Sequence, residues 1–146
     1  MIEIKNLYKG YEKEQPVLKN LNLHIHDASV FGLVGINGAG KSTLLRLLSG
    51  VIKADRGQVC VDGEEVYENE SAKRKLFFLP DEPFYTANVT AEGLGAMYEA
   101  VYGLDKEVYR ARLKSFALDP KKPIRNFSKG MKRQVFVALA LAIAPK

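Results

Sequence analysis

One stretch constrains this chain more than any other: Gly35-Ile36-Asn37-Gly38-Ala39-Gly40-Lys41-Ser42, which fits the pattern G-x-x-x-x-G-K-[ST]. The chemistry needs these residue types. Glycines let the backbone curl so that successive N–H groups point inward and form an anion nest. A helix opening at Lys41 adds its unpaired amides and the positive end of its dipole. The Lys41 ammonium has the reach to meet the β- and γ-phosphates of a nucleoside triphosphate. The Ser42 hydroxyl is a hard oxygen ligand suited to Mg²⁺, and Thr43 offers a second hydroxyl near the α-phosphate. The flanks supply the expected context. Phe31-Gly32-Leu33-Val34 is a continuous apolar run, which predicts a strand buried on both faces of a parallel sheet. Lys41 to Leu48 predicts a helix, with Gly50 as its stop.

The remaining segments fall around that loop. Ile2 and Ile4 alternate with Glu3 and Lys5, which predicts an opening strand rather than a signal peptide. Leu21, Leu23 and Ile25 alternate with polar residues, so His24 and His26 share the outer face of a half-buried strand. No Cys or third His accompanies that pair, and it reads as polar surface rather than a metal site. Asp55-Arg56-Gly57 predicts a turn into a strand over 58–61, and Asp62-Gly63 a hairpin. Leu76 to Leu79 predicts a second buried strand, closed by Pro80. From Thr90 the pattern turns helical. Thr90 is the cap, Leu94, Met97, Tyr98 and Val101 form one face, and Gly103 is the stop. Leu104, Val108 and Phe116 outline another helix ending near Asp119-Pro120. Ser128 opens a last one, with Val135, Leu139 and Ala142 at helical spacing. Together these predict an α/β fold.

Charge and cysteine content exclude less. Lys and Arg number 22 against 17 Asp and Glu, a net charge of +5. That surplus suits a solvated basic surface, a nucleic-acid partner or a pocket for a polyanion, and the phosphate motif favours the pocket. The basic cluster Lys121, Lys122, Arg125, Lys129, Lys132 and Arg133 lacks the interleaved aromatics of single-strand binders, so no nucleic-acid partner is expected. Cys60 is the only cysteine. It reads as a small core residue in a reducing compartment. The longest apolar run, Val135 to Ala144, is shorter than the roughly 20 residues of a membrane span.

The order of these elements resembles the ATP-binding subunit of ABC transporters over the whole 146 residues. The resemblance implies a P-loop NTPase fold with an N-terminal antiparallel β-subdomain and a helical subdomain. The β-subdomain and P-loop core would span about 1–84, the helical subdomain about 85–127, and the signature loop and helix 128–146. It implies ATP and Mg²⁺ as ligands, bound through Asn37, Gly38, Ala39, Gly40, Lys41, Ser42 and Thr43. An aromatic residue of the β-subdomain stacks on the adenine in this family, and Tyr11 matches that position, with Tyr8 second.

The chain also departs from the family. Asp81 stands where the family has a glutamine that senses Mg²⁺ and the γ-phosphate. A carboxylate is still an oxygen ligand, though it cannot donate a hydrogen bond. The signature Leu-Ser-Gly-Gly-Gln is here Phe127-Ser128-Lys129-Gly130-Met131. Ser128 and Gly130 keep their places, while Lys129 and Met131 are replacements. The helix start at this loop remains anion-seeking.

The implied partners are a second ATPase subunit, in a head-to-tail dimer, and a membrane-spanning subunit of the exporter-type branch. The implied location is cytoplasmic, peripheral at the inner face of the cell membrane. Phe84 and Tyr85 are candidates for the membrane-subunit contact. The family's Walker B aspartate, catalytic glutamate and switch histidine all follow the signature helix. The chain therefore reads as roughly the first two-thirds of an ATPase domain, a truncated or split product, with the C-terminal core strands absent. The expectation is MgATP binding without turnover, and Phe31 to Val34 left without strand neighbours. The competing readings are an inactive regulatory module and a soluble ABC protein acting on ribosome or DNA.

Overall fold

The computed structural model describes residues 1–12 and 15–143. Two compact units divide the chain, Met1–Leu76 and Phe77–Lys146. Ala144, Pro145 and Lys146, where the family's next strand is expected to begin, lie outside the described residues.

The N-terminal unit is built on one antiparallel sheet in the order β2-β1-β3-β4. Its strands are β1 (Ile2–Glu12), β2 (Gln15–Ile25), β3 (Arg56–Val61) and β4 (Glu64–Glu65). β1 is central, pairing with β2 from Ile2↔Ile25 to Glu12↔Gln15 and with β3 from Ile2↔Val61 to Tyr8↔Arg56. Its Ile4 and Leu7 are correspondingly buried. Asp62 (φ 50°) and Gly63 (φ 81°) make the two-residue β3–β4 turn in the left-handed conformation such hairpins require. Helix α1 (Lys41–Leu48) lays Leu44 and Leu47 into the same core as Val59, Val61 and Val66. The short helix α2 (Glu70–Arg74) is capped by Asn69, whose Oδ1 accepts from the Ala72 amide at 3.2 Å. Cys60 is buried, and burial pushes its thiol pKa up. His24 and His26 share the outer face as expected, their ring centroids 4.6 Å apart.

The C-terminal unit is helical, with α3 (Ala91–Tyr102), α4 (Lys106–Ser115) and α5 (Lys129–Ile143), plus a 3₁₀ turn at Ile124–Asn126. Thr90 Oγ1 caps α3 by accepting from the Gly93 amide at 3.0 Å, and Gly103 ends it at φ 69°. Asp105 caps α4, accepting from the amides of Glu107 and Val108. The core gathers Leu94, Tyr109, Leu113, Ile124, Phe136 and Leu139. Tyr109 is the one buried hydroxyl among them, and it donates to the Ala91 carbonyl at 2.8 Å. No helix among the described residues is long and apolar enough to cross a membrane.

Three expectations need correcting. Phe31–Val34 and Leu76–Leu79 are not strands. Phe31 is 49% and Val34 94% exposed, because no strand among the described residues pairs with either run. A parallel strand draws its hydrogen bonds from neighbours, so apolar composition alone cannot create it. On α3, Leu94 is buried and Tyr98 half-buried, but Met97 and Val101 are exposed, and the inner face runs through Ala91, Leu94 and Gly95. On α4 the buried positions are Tyr109 and Leu113, while Val108 is exposed.

Candidate functional site

The phosphate loop sits at the N-terminus of α1. Gly38 and Gly40 both adopt φ +85°, which turns the chain sharply ahead of the helix, and Gly40 is its N-cap. A Cβ on Gly40 would stand 2.9 Å from both Val17 Cγ1 and Leu18 Cδ2, so β2 closes against the end of the loop. The Ala39 amide donates to the Ile36 carbonyl at 3.2 Å, and the Leu44 amide to the Gly40 carbonyl at 2.8 Å. Residues 35–39 are exposed.

Lys41 folds back over this loop. Its ammonium donates to the Gly35 carbonyl at 2.6 Å and the Ile36 carbonyl at 2.8 Å. Both acceptors are neutral. A phosphate oxygen is a stronger acceptor for an ammonium than a neutral carbonyl, so the lysine is poised for exchange toward an anion. Ser42 is exposed beside it. Thr43 is buried, and its Oγ1 lies 3.3 Å from the Tyr11 hydroxyl.

Tyr11 thereby meets the first turn of α1 through its hydroxyl while its side chain remains 61% exposed. Such a ring offers a π face for stacking and a tethered edge. The Lys9 ammonium stands 5.8 Å from its centroid and bonds Asp55 Oδ1 at 2.8 Å. The Gly10 amide donates to Asp55 Oδ2, also at 2.8 Å. Lys9, then the Gly10 amide, hold the Asp55 carboxyl below its ordinary pKa. The sequence yields Tyr11 but not Asp55, which reads there only as a turn residue. A lysine between two tyrosines is the sole signal that a carboxylate partner is needed.

The C-terminal unit carries the other sequence-predicted residues. Phe127 is buried, and Ser128, Lys129 and Gly130 are exposed at the start of α5. Ser128 Oγ accepts from the Met131 amide at 3.2 Å, closing the helix end. Met131 is partly buried against the helical core. Asp81 has a 97% exposed side chain, 3.8 Å from the Arg133 guanidinium. Arg133 also donates to the Pro80 carbonyl at 3.1 Å. Phe84 is 88% exposed. Tyr85 is not its twin: it packs 6.4 Å from the Phe136 ring, with the Lys132 ammonium 5.7 Å from its centroid. The basic cluster is partly engaged in this way, and Lys122 likewise lies over the Phe127 ring.

Gly130 has no internal reason to be glycine. Among the described residues, a Cβ there meets nothing within 4 Å. Gly130→Ala is expected to leave the fold intact and to raise its stability by about 0.5 kcal/mol, read by chemical denaturation. A loss of stability would show an internal role that these contacts do not reveal.

The ABC transporter family model matches residues 18–146. The ABC transporter ATP-binding protein YtrB of Bacillus subtilis is 33% identical over 99% of this chain and 50% of its own length. The lantibiotic transport ATP-binding protein SrtF of Streptococcus pyogenes is 31% identical over 100% of this chain and 63% of its own. The chain thus spans half to just under two-thirds of these relatives. Among solved structures, an ATP-binding subunit of an ABC transporter superposes with a TM-score of 0.87 at 28% identity, over 99% of this chain and 63% of that one. A dimeric ATP-binding cassette in a post-hydrolysis state with ADP and Pi superposes at 0.76 with 25% identity, over 99% and 71%.

Proposed function

Since the chain belongs to the ABC transporter ATP-binding family, we propose that it binds MgATP through Gly35 to Thr43 and forms part of an ATPase subunit that energises transport through a separate membrane subunit. The observation that carries this reading is the Lys41 ammonium, drawn over the Gly35 and Ile36 carbonyls at the start of α1. On binding, the loop amides, the helix N-terminus and Lys41 receive the β- and γ-phosphates. Asn37, Gly38, Ala39 and Gly40 supply backbone to that nest. Tyr11 stacks on the adenine, and Thr43, which it touches, borders the α-phosphate.

Ser42 suits Mg²⁺, because its exposed hydroxyl is a hard oxygen ligand. The ion would neutralise phosphate charge. Asp81, in the C-terminal unit, carries an exposed carboxylate where the family has a neutral glutamine.

Ser128, Lys129, Gly130 and Met131 are proposed to bind the γ-phosphate held by a second ATPase subunit in a head-to-tail dimer. Two features support this: Gly130 is open to approach from outside, and a structurally similar cassette is dimeric. Lys129 adds a cation at that contact. The exposed Phe84 ring is offered as the contact for a membrane-spanning subunit, at the cytoplasmic face of the membrane. The helical subdomain would run over about 85–127, between a core of about 1–84 and the signature segment 128–146.

Turnover is a separate matter. No Asp or Glu follows Asp119 in these 146 residues, so the general base expected after the signature helix is not among them. These residues are proposed to hold MgATP without hydrolysing it.

Calorimetric titration with MgATP tests the reading. Lys41→Ala removes the only loop ammonium and is expected to weaken binding at least about thirtyfold, the scale of losing a charged hydrogen bond at roughly 2 kcal/mol. Phosphate release by the unaltered chain is expected to match that of Lys41→Ala. Unchanged affinity in the variant would remove the nucleotide site, and clear turnover would place the catalytic groups elsewhere.

A further inference from the structure

On the side away from β2, the end of β1 that carries Tyr11 is held by one residue rather than by a strand. The β1–β3 ladder makes its last pair at Tyr8↔Arg56. On the other side Gly10 stands opposite Pro16, which has no N–H to give, and the β1–β2 register shifts both before and after Gly10. Asp55 takes over at that point. Its amide donates to the Tyr8 carbonyl at 3.0 Å. Its Oδ2 accepts the Gly10 amide at 2.8 Å, and its Oδ1 accepts the Lys9 ammonium at 2.8 Å. Three successive residues of β1 are thus tied to one residue, and the next residue is Tyr11.

Lys9 extends the hold to the ring. Its side chain is largely buried, and its ammonium lies 5.8 Å from the Tyr11 centroid. An ammonium over a ring at that distance is attracted by the ring quadrupole. Beside it opens a cleft of about 410 Å³, bounded by Tyr8 and Tyr11 on β1, Pro16 on β2 and Arg56 on β3. The Tyr11 hydroxyl is fixed at Thr43. The ring is therefore constrained at its hydroxyl by α1, while Asp55 holds the backbone of the preceding residue, Gly10. Without the carboxylate, the Gly10 amide loses its acceptor and Lys9 loses its only close counter-ion among the described residues. The hydroxyl contact alone leaves the ring free to tilt.

We propose that Asp55 is a positioning residue for base recognition: by holding Lys9 and the Gly10 amide it sets the Tyr11 ring in the attitude on which a purine stacks. This rests on the nucleotide reading above, with Tyr11 as the platform. Among the described residues Asp55 makes no hydrogen bond to the phosphate loop, so its effect should appear in the part of the affinity that depends on the base.

The test compares two probes on the full chain, MgATP and magnesium tripolyphosphate, which has the phosphates but no base. Asp55→Ala is expected to weaken MgATP about fivefold and to leave tripolyphosphate affinity unchanged. Asp55→Asn keeps a neutral acceptor and is expected to recover part of the loss. In a Tyr11→Ala background, Asp55→Ala is expected to add nothing, because the two substitutions remove one shared contribution. Equal losses for both probes would make Asp55 a general staple of the sheet and overturn the proposal. So would unchanged MgATP affinity, or a further loss on top of Tyr11→Ala. If Asp55→Ala loses the circular-dichroism spectrum of the folded chain, Asp55→Asn carries the test on the same criteria. Failure of the underlying reading looks different: Lys41→Ala then leaves both probes unaffected, and the proposal falls with it.

Discussion

Gly57→Ala is expected to destabilise the N-terminal unit by about 3–5 kcal/mol, the sum of a left-handed backbone penalty and an overpacking term. Gly57 sits in β3 at φ +79°, where the β1–β3 register shifts. A Cβ there would stand 2.2 Å from the Asn6 carbonyl oxygen and 2.3 Å from that of Lys5. Both are backbone atoms in the central strand, so no side chain can rotate away to make room. Relief requires β1 and β3 to part where Tyr8 pairs with Arg56. Gly63→Ala is the matched control. It shares the left-handed backbone (φ +81°) but has nothing within 4 Å among the described residues, so it should cost only about 1 kcal/mol. Equilibrium denaturation, with amide exchange of β1 and β3, reads both. Equal costs for the two would show that β1 yields to the extra carbon, contrary to the packing.

Legibility from sequence follows the range of the interactions concerned. The caps at Thr90 and Gly103 and the Asp62-Gly63 turn rest on conformations closed within a few residues, and the buried stripe Val135, Leu139, Ala142 follows helical spacing. They are readable for that reason. The Gly35–Ser42 motif is visible in the sequence because it is a run of consecutive residues. Phe31–Val34 and Leu76–Leu79 fail as strands because strand formation depends on distant partners. On α3 the apolar content is right but the face is displaced, since Met97 and Val101 are apolar residues left at the surface. Single exposed apolar residues are ordinary, so composition could not reveal the shift. Asp55 reads in the sequence only as a turn residue, because its partners lie 45 and 46 positions earlier.

Gly40→Ala tests whether the loop acts through backbone geometry as well as through charge. Gly40 combines φ +85° with contacts of 2.9 Å from a would-be Cβ to Val17 and Leu18. Those atoms are side-chain methyls, and Val17 is partly exposed, so they can shift where the carbonyls near Gly57 cannot. The expected stability loss is accordingly smaller, about 1–3 kcal/mol. The binding loss should be larger than the fold suggests. Gly40 is the N-cap of α1, so relaxing its backbone re-aims the helix amides that an anion would meet. Affinity for MgATP and for magnesium tripolyphosphate should fall together, by at least about tenfold. Gly38→Ala separates the causes, because it has the same φ of +85° but nothing within 4 Å among the described residues. If Gly38→Ala matches Gly40→Ala in both stability and affinity, backbone conformation accounts for the whole effect and the approach of β2 contributes nothing. If Gly40→Ala is the worse of the two, the first hairpin shapes the phosphate loop directly. Retained affinity in both variants would mean that Lys41 and its charge do the binding with little help from the loop.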